Sequence, residues 1–313
     1  MTASPGPHDL AEHLLGRRAP LAPLDADGNS RLFRIGDAPL LLKVHRPDGR
    51  RAEREAAALR LLERHHLPAP RLVAGDGADN ALVMTLEDGA PVTDAGAADA
   101  DALAAFVEAL DALSATPEAA AMPDAADACP TLDTVADHLH QRLRRLRAGG
   151  LDDPAAARFL DREVAPAVER HVRAARAAFA TLGLAPEAVH AITPSPSDAG
   201  LHNALRRPDG GLIFLDFEFF GRDDPAKLVG DLSWHPRALP DGLRERVRER
   251  LIARFGGDAF ARRLAILQPL FGLAWCMIRL NAFLPDRRVD DAARGDRLAR
   301  ARHDLEWINA HAL

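Results

Sequence analysis

The sequence changes character near residue 88, and this change constrains the fold more than any other feature. Up to that point short β-compatible runs are mixed with helical patterns, and beyond it long Ala- and Leu-rich helical patterns dominate. One island at 195–219 interrupts the second part with two strand-like runs around the turn Pro-Asp-Gly-Gly at 208–211. The pattern predicts an α+β protein with two lobes, a small β-rich lobe followed by a larger, mainly helical one.

The length of 313 residues exceeds the usual size of one compact core, which also favours two lobes. Turn-forming residues at 87–91 indicate the crossover, so we expect an N-terminal lobe at 1–88 and a C-terminal lobe at 89–313. Strands are predicted at 31–35, 40–44, 81–86, 204–206 and 212–215. Helices are predicted at 8–18, 51–65, 98–114, 131–147, 154–182, 241–255, 258–284 and 289–311.

Composition argues against several classes of protein. Hydrophobic residues make up 47% and charged residues 27%, the balance of a soluble globular protein. No apolar run approaches the roughly 20 residues that span a membrane, and the start MTASPGPHDL lacks the pattern of a signal peptide. We therefore expect a cytoplasmic protein with no membrane partner. The net charge of −6 argues against non-specific binding to nucleic acid.

Cysteines and histidines form no recognisable metal site. Cys129 and Cys276 lie far apart and give neither a CxxC pair nor a disulfide framework, so we expect both thiols to be reduced. The histidine pairs at 65–66 and 138–140 match neither HExxH nor a Cys/His cluster. A metal hydrolase is therefore the weakest of the functional hypotheses.

Three polar residues of the island, Asp198, Asn203 and Asp216, carry the strongest functional signal. Asp198 and Asn203 are separated by four residues on a predicted tight loop, and the hairpin returns Asp216 beside them. A phosphoryl-transfer enzyme needs a carboxylate near the attacking hydroxyl and oxygen ligands that hold magnesium against the nucleotide phosphates. These three side chains can supply both, whereas the structural alternative is a turn Asp, a capping Asn and a strand-end Asp.

The arrangement resembles the aminoglycoside phosphotransferase and choline kinase family. That family's catalytic loop has Asp, four residues and Asn, followed after a hairpin by Asp-Phe-Glu or a similar triplet, and the resemblance covers roughly 25–235. It implies a protein-kinase-like fold that binds ATP or GTP and Mg²⁺. By this resemblance Asp198 orients or deprotonates the acceptor hydroxyl, while Asn203 and Asp216 bind Mg²⁺.

A kinase-like fold also needs a strand lysine that reaches the phosphates and a helix glutamate that holds it. Lys43 stands in the apolar run Leu-Leu-Leu-Lys-Val, where a central charge is unusual for a strand. Glu55 is the expected partner, with Glu53 as its rival on the same predicted helix.

The turn Asp-Gly-Asn-Ser at 27–30 precedes the first predicted strand. Gly28 would permit close backbone approach, and Asn29 and Ser30 could donate to phosphate oxygens. There is no GxGxxG motif, so an ordinary surface turn is the alternative.

The resemblance also makes the strand that ends near residue 86 the entry to the hinge between the lobes. It implies that backbone groups of Thr85 and Glu87 meet adenine beside Met84. A core position is the alternative for Met84.

The sequence departs from the family pattern at one position. The family commonly has His two residues before the catalytic Asp, and Pro196 stands there instead. His202, next to the predicted magnesium ligand, is expected to be structural, with phosphate binding as the alternative. Glu218 could assist metal or substrate, and Asp223 and Asp224 could line an acceptor pocket or be simply solvated.

The favoured function is a kinase that moves the γ-phosphate of ATP or GTP to a hydroxyl of a small molecule, such as an aminoglycoside, sugar or amino alcohol. The main alternative is a nucleotide-binding pseudokinase without transfer, which Pro196 and the missing Gly-rich motif motivate. The sequence does not specify the acceptor or the oligomeric state.

Overall fold

The computed structural model describes residues 5–24, 30–46, 50–236, 239–287 and 289–311. The chain divides into two compact units, each of them assembled from two segments. The first comprises Met1–Ala126 with Thr193–Arg222, and the second Asp127–Ile192 with Asp223–Leu313. The lobe boundary near residue 88 stays a prediction.

The first unit contains a five-stranded antiparallel sheet with two long helices. The strands are β1 (Leu21–Leu24), β2 (Ser30–Ile35), β3 (Leu40–His45), β4 (Leu72–Ala74) and β5 (Ala81–Thr85). The helices are α1 (Pro7–Leu15) and α2 (Arg51–Arg64). The strand order is β1-β2-β3-β5-β4, which places β3 in the middle of the sheet.

Alternation along β3 sends its side chains to opposite faces of the sheet. Leu42 and Val44 join an apolar cluster with Leu10 of α1 and Val83 of β5. Lys43, between them in sequence and opposite Leu82 of β5, therefore faces the side on which α2 packs. The β-strand period thus places one charged residue of an apolar run against the helix.

The rest of the first unit consists of short strands and helices around a hairpin. They are β6 (Ala90–Pro91), α3 (Ala97–Ala112), α4 (Pro117–Ala120), β7 (Thr193–Ser195), a 3₁₀ turn (Leu201–Asn203), β8 (Ala204–Arg206) and β9 (Leu212–Phe214). Strand β10 (Gly221–Asp223) follows, and its last residue is the first of the segment 223–313 in the second unit. Phe214 anchors the hairpin, because its ring stacks 4.1 Å from Phe106 of α3 and its amide donates to Pro68 O over 2.8 Å. The end of β9 is thereby fixed within this unit.

The second unit is helical. Its elements are α5 (Leu132–Gly149), α6 (Pro154–Phe159), a π-helical turn (Leu160–Val164), α7 (Ala165–Thr181), α8 (Pro225–Trp234), α9 (Asp241–Arg254), α10 (Gly257–Leu280), a 3₁₀ turn (Asn281–Phe283) and α11 (Asp291–Ala310). Helix α10 is central, because α5, α7, α8, α9 and α11 all pack on it. Close packing depends on Gly230, where a Cβ would lie 2.3 Å from the Phe271 ring.

Helix α10 and the turn after it form a 27-residue segment, Gly257–Phe283, that is long and apolar enough to cross a membrane. In the described part of the chain it is the one such segment, and 67% of its 18-residue apolar stretch is buried inside the structure. It also carries buried Arg263 and Arg279, which are paired with carboxylates. The segment packs as a core helix of the second unit.

The α+β class and all the strands and helices predicted above are confirmed, with ends shifted by a few residues and with a π-helical turn inside 154–182. The prediction omitted the short strands β1, β4, β6, β7 and β10 and the helices α4 and α8. Helix α8 did have a signal, because Asp224 caps it by accepting from Ala226 N over 2.8 Å and Pro225 follows at the first helical position. The expectation that Asp224 could line a pocket overlooked this cap.

Helices α10 and α11 are joined by a buried ion pair. Arg279 Nε donates to Asp304 Oδ2 over 2.9 Å, and Arg279 Nη2 donates to Trp234 O over 2.8 Å. Asp304 also lies 3.0 Å from Nε of Arg300, whose side chain is 58% exposed. The pair is therefore internal on one side and reaches solvent on the other.

We predict that Asp304→Asn lowers the free energy of unfolding by about 3–5 kcal/mol, because it leaves the Arg279 charge buried without a carboxylate. The matched control Arg300→Ala removes only an exposed partner and should cost no more than about 1 kcal/mol. Urea unfolding followed by circular dichroism measures both. Equal, small losses in the two variants would contradict a buried charge pair.

Candidate active site

A buried ion pair joins the central strand of the sheet to α2. Lys43 Nζ lies 2.9 Å from Glu55 Oε1 and 2.8 Å from Oε2, and the two side chains are only 7% and 2% exposed. Glu53 instead lies 2.5 Å from Arg50 in an exposed pair. The structure therefore brings Glu55, and not its rival, to Lys43.

Asp216 contacts the same lysine. Its Oδ1 lies 2.6 Å from Lys43 Nζ, and the next amide, Phe217 N, donates to Glu55 Oε1 over 3.2 Å. The backbone of Asp216 is left-handed, with φ 64°, which is uncommon for a residue with a Cβ and persists where the surroundings over-determine it. Lys43 and Glu55 are two such constraints, one on the side chain and one on the following amide.

Asn203 is tied to both ends of the constellation by its amide groups. Its Nδ2 donates to Asp198 O over 3.0 Å, and its backbone oxygen accepts from Leu215 N over 2.8 Å. Since Nδ2 is engaged by the loop, Oδ1 is the side-chain atom that can ligate a cation. These hydrogen bonds thus join Asn203 to Asp198 on one side and to Leu215, the residue before Asp216, on the other.

The loop that carries Asp198 is held by local hydrogen bonds. Ser197 has a left-handed backbone, φ 65°, and its amide donates to Ser195 Oγ over 3.0 Å. Asp198 N donates to Pro196 O over 2.8 Å. His202 Nε2 lies 3.1 Å from Asp198 Oδ1.

The electrostatics of the site favour the charged forms of its ion pair. Burial alone would raise the pKa of Glu55, but the Lys43 ammonium and the His45 imidazole outweigh it and lower that pKa to about 2. Burial alone would lower the pKa of Lys43, yet Glu55 and Asp216 raise it above its usual value. The lysine therefore stays protonated at neutral pH.

Asp216 is in the opposite situation. Desolvation raises its pKa, and the carboxylates of Glu55 and Glu218 add to that effect while Lys43 opposes it. Its side chain is nevertheless 43% exposed, in contrast to that of Glu55. An accessible carboxylate beside other carboxylates is a favourable place for a cation.

Glu218, expected from the sequence to assist metal or substrate, is buried in a second set of contacts. Its carboxylate lies 2.5 Å from Arg51 Nη1 of α2, 3.4 Å from His45 Nδ1 of β3 and 3.3 Å from Ser30 Oγ of β2. Arg51 also lies over the ring of Phe219, 4.8 Å from its centroid. The segment after Asp216 is thereby fastened to the sheet and to α2.

His45 connects the two sets of contacts. Its Nε2 lies 2.9 Å from Glu55 Oε2, while its Nδ1 lies 3.4 Å from Glu218 Oε2. Burial alone would lower the pKa of His45, but the contacts with Glu218 and Glu55 raise it above its ordinary 6.5. A protonated His45 balances the charges around it, since it adds a third cation to Lys43 and Arg51 against three carboxylates.

The expected nucleotide-binding residues of the N-terminal region have mixed outcomes. Gly28 and Asn29 lie outside the described residues, and the Ser30 hydroxyl contacts Glu218 and His45, each at 3.3 Å, within the protein. Met84 is buried in β5. The phosphate contact expected of Ser30 stays a prediction.

At the predicted hinge, the backbone amide and the side-chain hydroxyl of Thr85 both make hydrogen bonds within the protein. Its amide donates to Arg71 O and its Oγ1 accepts from Arg71 N, both over 2.9 Å, while Oγ1 donates to the Glu87 carboxylate. Any adenine contact of Thr85 would therefore fall to its carbonyl oxygen.

Two further sets of charged residues have internal partners in the second unit. Asp223 is buried and accepts from Cys129 N over 2.8 Å, while Asp224 is paired with Arg263.

His138 and His140 contact different partners. His138 Nδ1 lies 3.4 Å from the Cys129 thiol, while His140 Nε2 lies 2.9 Å from Glu169. The two histidines therefore do not share a ligand site.

A comparison with known protein families identifies the family of this chain. Residues 21–266 match the model described as the phosphotransferase enzyme family. The chain belongs to this family. A comparison with curated protein sequences gives no significant match.

Solved structures with a fold similar to that of this phosphotransferase-family chain include kinases and phosphotransferases of small molecules. A choline/ethanolamine kinase family protein from Mesorhizobium loti is 23% identical with a TM-score of 0.60, covering 94% of this chain and 91% of that one. The macrolide 2'-phosphotransferase MphH from Brachybacterium faecium is 21% identical with a TM-score of 0.57, covering 94% and 97%. The streptomycin–ATP complex of APH(2")-IIa is 15% identical with a TM-score of 0.59, covering 95% and 94%. At these identities the likeness shows the fold, and it confirms the predicted aminoglycoside phosphotransferase and choline kinase fold.

Sequence reasoning missed His45 and Arg51 as parts of the site. His45 had a signal, because it follows Lys43 by two positions on a strand and so shares its face. Arg51 had none that separates it from the other arginines of α2. Its partner Glu218 comes from a segment far along the chain, and only the tertiary structure joins them.

We predict a pH-dependent contribution of His45 to stability. Because its pKa is raised in the folded state, the contribution is fully present below the ordinary pKa of 6.5 and is lost as pH rises through the folded-state value. The difference in free energy of unfolding between wild type and His45→Gln should therefore be largest at low pH and shrink above pH 6.5. Urea titrations from about pH 5.5 to about pH 9 measure it.

The control is His303→Gln, which changes an exposed histidine of α11 and should give a small difference at every pH. A difference for His45→Gln that does not vary with pH would mean that this imidazole is neutral among its carboxylates.

Proposed function

We propose that this chain is a kinase that transfers the γ-phosphate of a nucleoside triphosphate to a hydroxyl of a small molecule. One observation carries the proposal: Lys43, Glu55 and Asp216 form one contiguous ion-pair set, and Asp198 and Asn203 are hydrogen-bonded beside it. Membership of the phosphotransferase family supports the reaction class. ATP is the donor we favour, because a structural relative forms a streptomycin–ATP complex, and GTP is the alternative.

The proposed reaction is an in-line displacement. The acceptor oxygen attacks the γ-phosphorus and forms a P–O bond, while the bond to the β–γ bridging oxygen breaks and the nucleoside diphosphate leaves with that electron pair. Asp198 aligns the hydroxyl and receives its proton. Lys43, held by Glu55, places its positive charge next to the phosphates.

The donor set of the site fits a magnesium ion. Asp216 offers a partly exposed carboxylate and Asn203 an amide oxygen, and oxygen ligands of this kind suit Mg²⁺. These two residues would hold the ion, which when bound neutralises charge on the phosphate oxygens. Lys43 holds the Asp216 carboxylate and Glu55 holds the amide of the next residue, so the proposed ligand is already positioned by the protein.

The acceptor class we propose is an aminoglycoside, a sugar or an amino alcohol. Structural relatives include an aminoglycoside phosphotransferase, a macrolide phosphotransferase and a choline/ethanolamine kinase family protein. Incubating the protein with MgATP and pooled compounds of these classes, with detection of ADP and of a product heavier by one phosphoryl group, identifies the acceptor. Nucleotide binding without ADP release on any pool would favour the pseudokinase alternative, which Pro196 motivates.

We predict that Asp198→Asn lowers kcat by at least about a hundredfold while leaving nucleotide affinity nearly unchanged, because the amide cannot accept the acceptor proton. Turnover is measured with the acceptor found above, and nucleotide affinity by calorimetry.

The matched control is Asp209→Asn, the same change in the exposed turn of the same hairpin, where the carboxylate accepts from Gly211 N. It should retain wild-type turnover. Full activity of the Asp198 variant would refute the assignment of this carboxylate.

A further inference from the structure

His202 follows the catalytic-loop aspartate by four positions and turns back onto it. Its Nε2 lies 3.1 Å from Asp198 Oδ1, and its side chain is 7% exposed while that of Asp198 is 37% exposed. An ionised carboxylate only accepts hydrogen bonds, so Nε2 is the nitrogen that carries the proton and donates. The more buried member of the pair therefore holds the more exposed one.

The backbone of the loop is shaped to admit this ring. A Cβ at Gly200 would lie 2.5 Å from His202 Nδ1 and 2.6 Å from Cε1, which is closer than side-chain carbons approach one another. Gly200 has an extended backbone, with φ 167°, so the requirement for glycine here comes from the space that the ring occupies. The loop sequence Asp-Ala-Gly-Leu-His-Asn thus contains both the ring and the gap that it fills.

The same loop lacks a histidine on the other side of the aspartate. Pro196 occupies the position two residues upstream, and it contributes only its carbonyl oxygen, which accepts from Asp198 N over 2.8 Å. The upstream residue therefore fixes the Asp198 backbone but offers no donor to its carboxylate.

We propose that His202 is a positioning residue that sets the rotation of the Asp198 carboxylate by donating from Nε2 to Oδ1, in the role left open by Pro196. The proposal rests on the proposed function through the assignment of Asp198 to the acceptor hydroxyl. A carboxylate held in one rotamer keeps the acceptor in line, and misplacement by about 1 Å costs up to a hundredfold in rate.

Three variants separate this role from packing. His202→Gln keeps an N–H near the position of Nε2, His202→Leu keeps apolar bulk without a donor, and Gly200→Ala leaves both partners present but displaces the ring. We expect kcat to fall about ten- to a hundredfold in His202→Leu and Gly200→Ala, with KM for nucleotide unchanged. His202→Gln should recover most of the lost kcat.

A measurement independent of turnover is the NMR signal of the His202 side chain. The wild type should show the Nε2–H tautomer with a proton protected from solvent exchange, assigned by its absence in His202→Gln. Asp198→Ala, which removes the acceptor oxygen, should abolish the protection. Protection that survives in Asp198→Ala, or equal kcat in wild type and His202→Leu, would overturn the proposal.

The two proposals fail in different ways. If the wild type turns over no acceptor, the kinase assignment is overturned, and the protected Nε2–H still decides whether His202 holds the Asp198 carboxylate. If turnover is found but the three variants and the NMR signal show no dependence on His202, only the positioning role is overturned.

Discussion

The first unit depends on the burial of Lys43. An ammonium on the inner face of a sheet is strongly unfavourable unless carboxylates surround it, and Glu55 and Asp216 both lie within 3 Å of its nitrogen. One carboxylate comes from α2 and the other from the segment after β9, which stands more than a hundred residues further along the chain. The need to pair a single charge therefore brings together a strand, a helix and a hairpin that are remote in sequence.

Local sequence was sufficient where a motif lies on one short segment. The loop from Asp198 to Asn203 and the strand that precedes Asp216 belong to one hairpin, so their convergence followed from turn chemistry and strand length. The sequence favoured Glu55 over Glu53 only by family resemblance, because a two-residue difference on a helix changes the face of the side chain and sequence does not say which face meets the sheet. The structure shows that Glu55 is the residue that contacts Lys43. The strands β1, β4, β6, β7 and β10 have two to four residues, too few for period-two alternation to register. The equally short β8 and β9 were predicted because the Pro-Asp-Gly-Gly turn at 208–211 lies between them.

Acidic residues near the motif have opposite fates for a physical reason. Asp216 keeps an exposed side chain beside other carboxylates, whereas Asp223 and Asp224 are buried and paired within the second unit. Sequence shows all of them as aspartates in one short stretch. Burial and partner separate Asp216, the proposed ligand, from Asp224, the helix cap, and both are properties of the folded chain. Glu218 belongs with the second group, since Arg51, His45 and Ser30 engage its carboxylate.

The hydrogen bonds of the loop explain how it can have proline at position 196, where the family commonly has histidine. The loop must fix the backbone of Asp198 and also the rotation of its carboxylate, and one upstream histidine is not the only way to do both. Here the Pro196 carbonyl accepts a hydrogen bond from the Asp198 amide, and His202, downstream in the sequence, donates to the Asp198 carboxylate. Proline, with no N–H, can serve the first requirement but not the second, while Gly200 makes room for the ring that does. With the donor downstream of Asp198 and not upstream, the His202 ring occupies the space in which a Cβ at residue 200 would lie. The downstream donor therefore requires glycine at position 200.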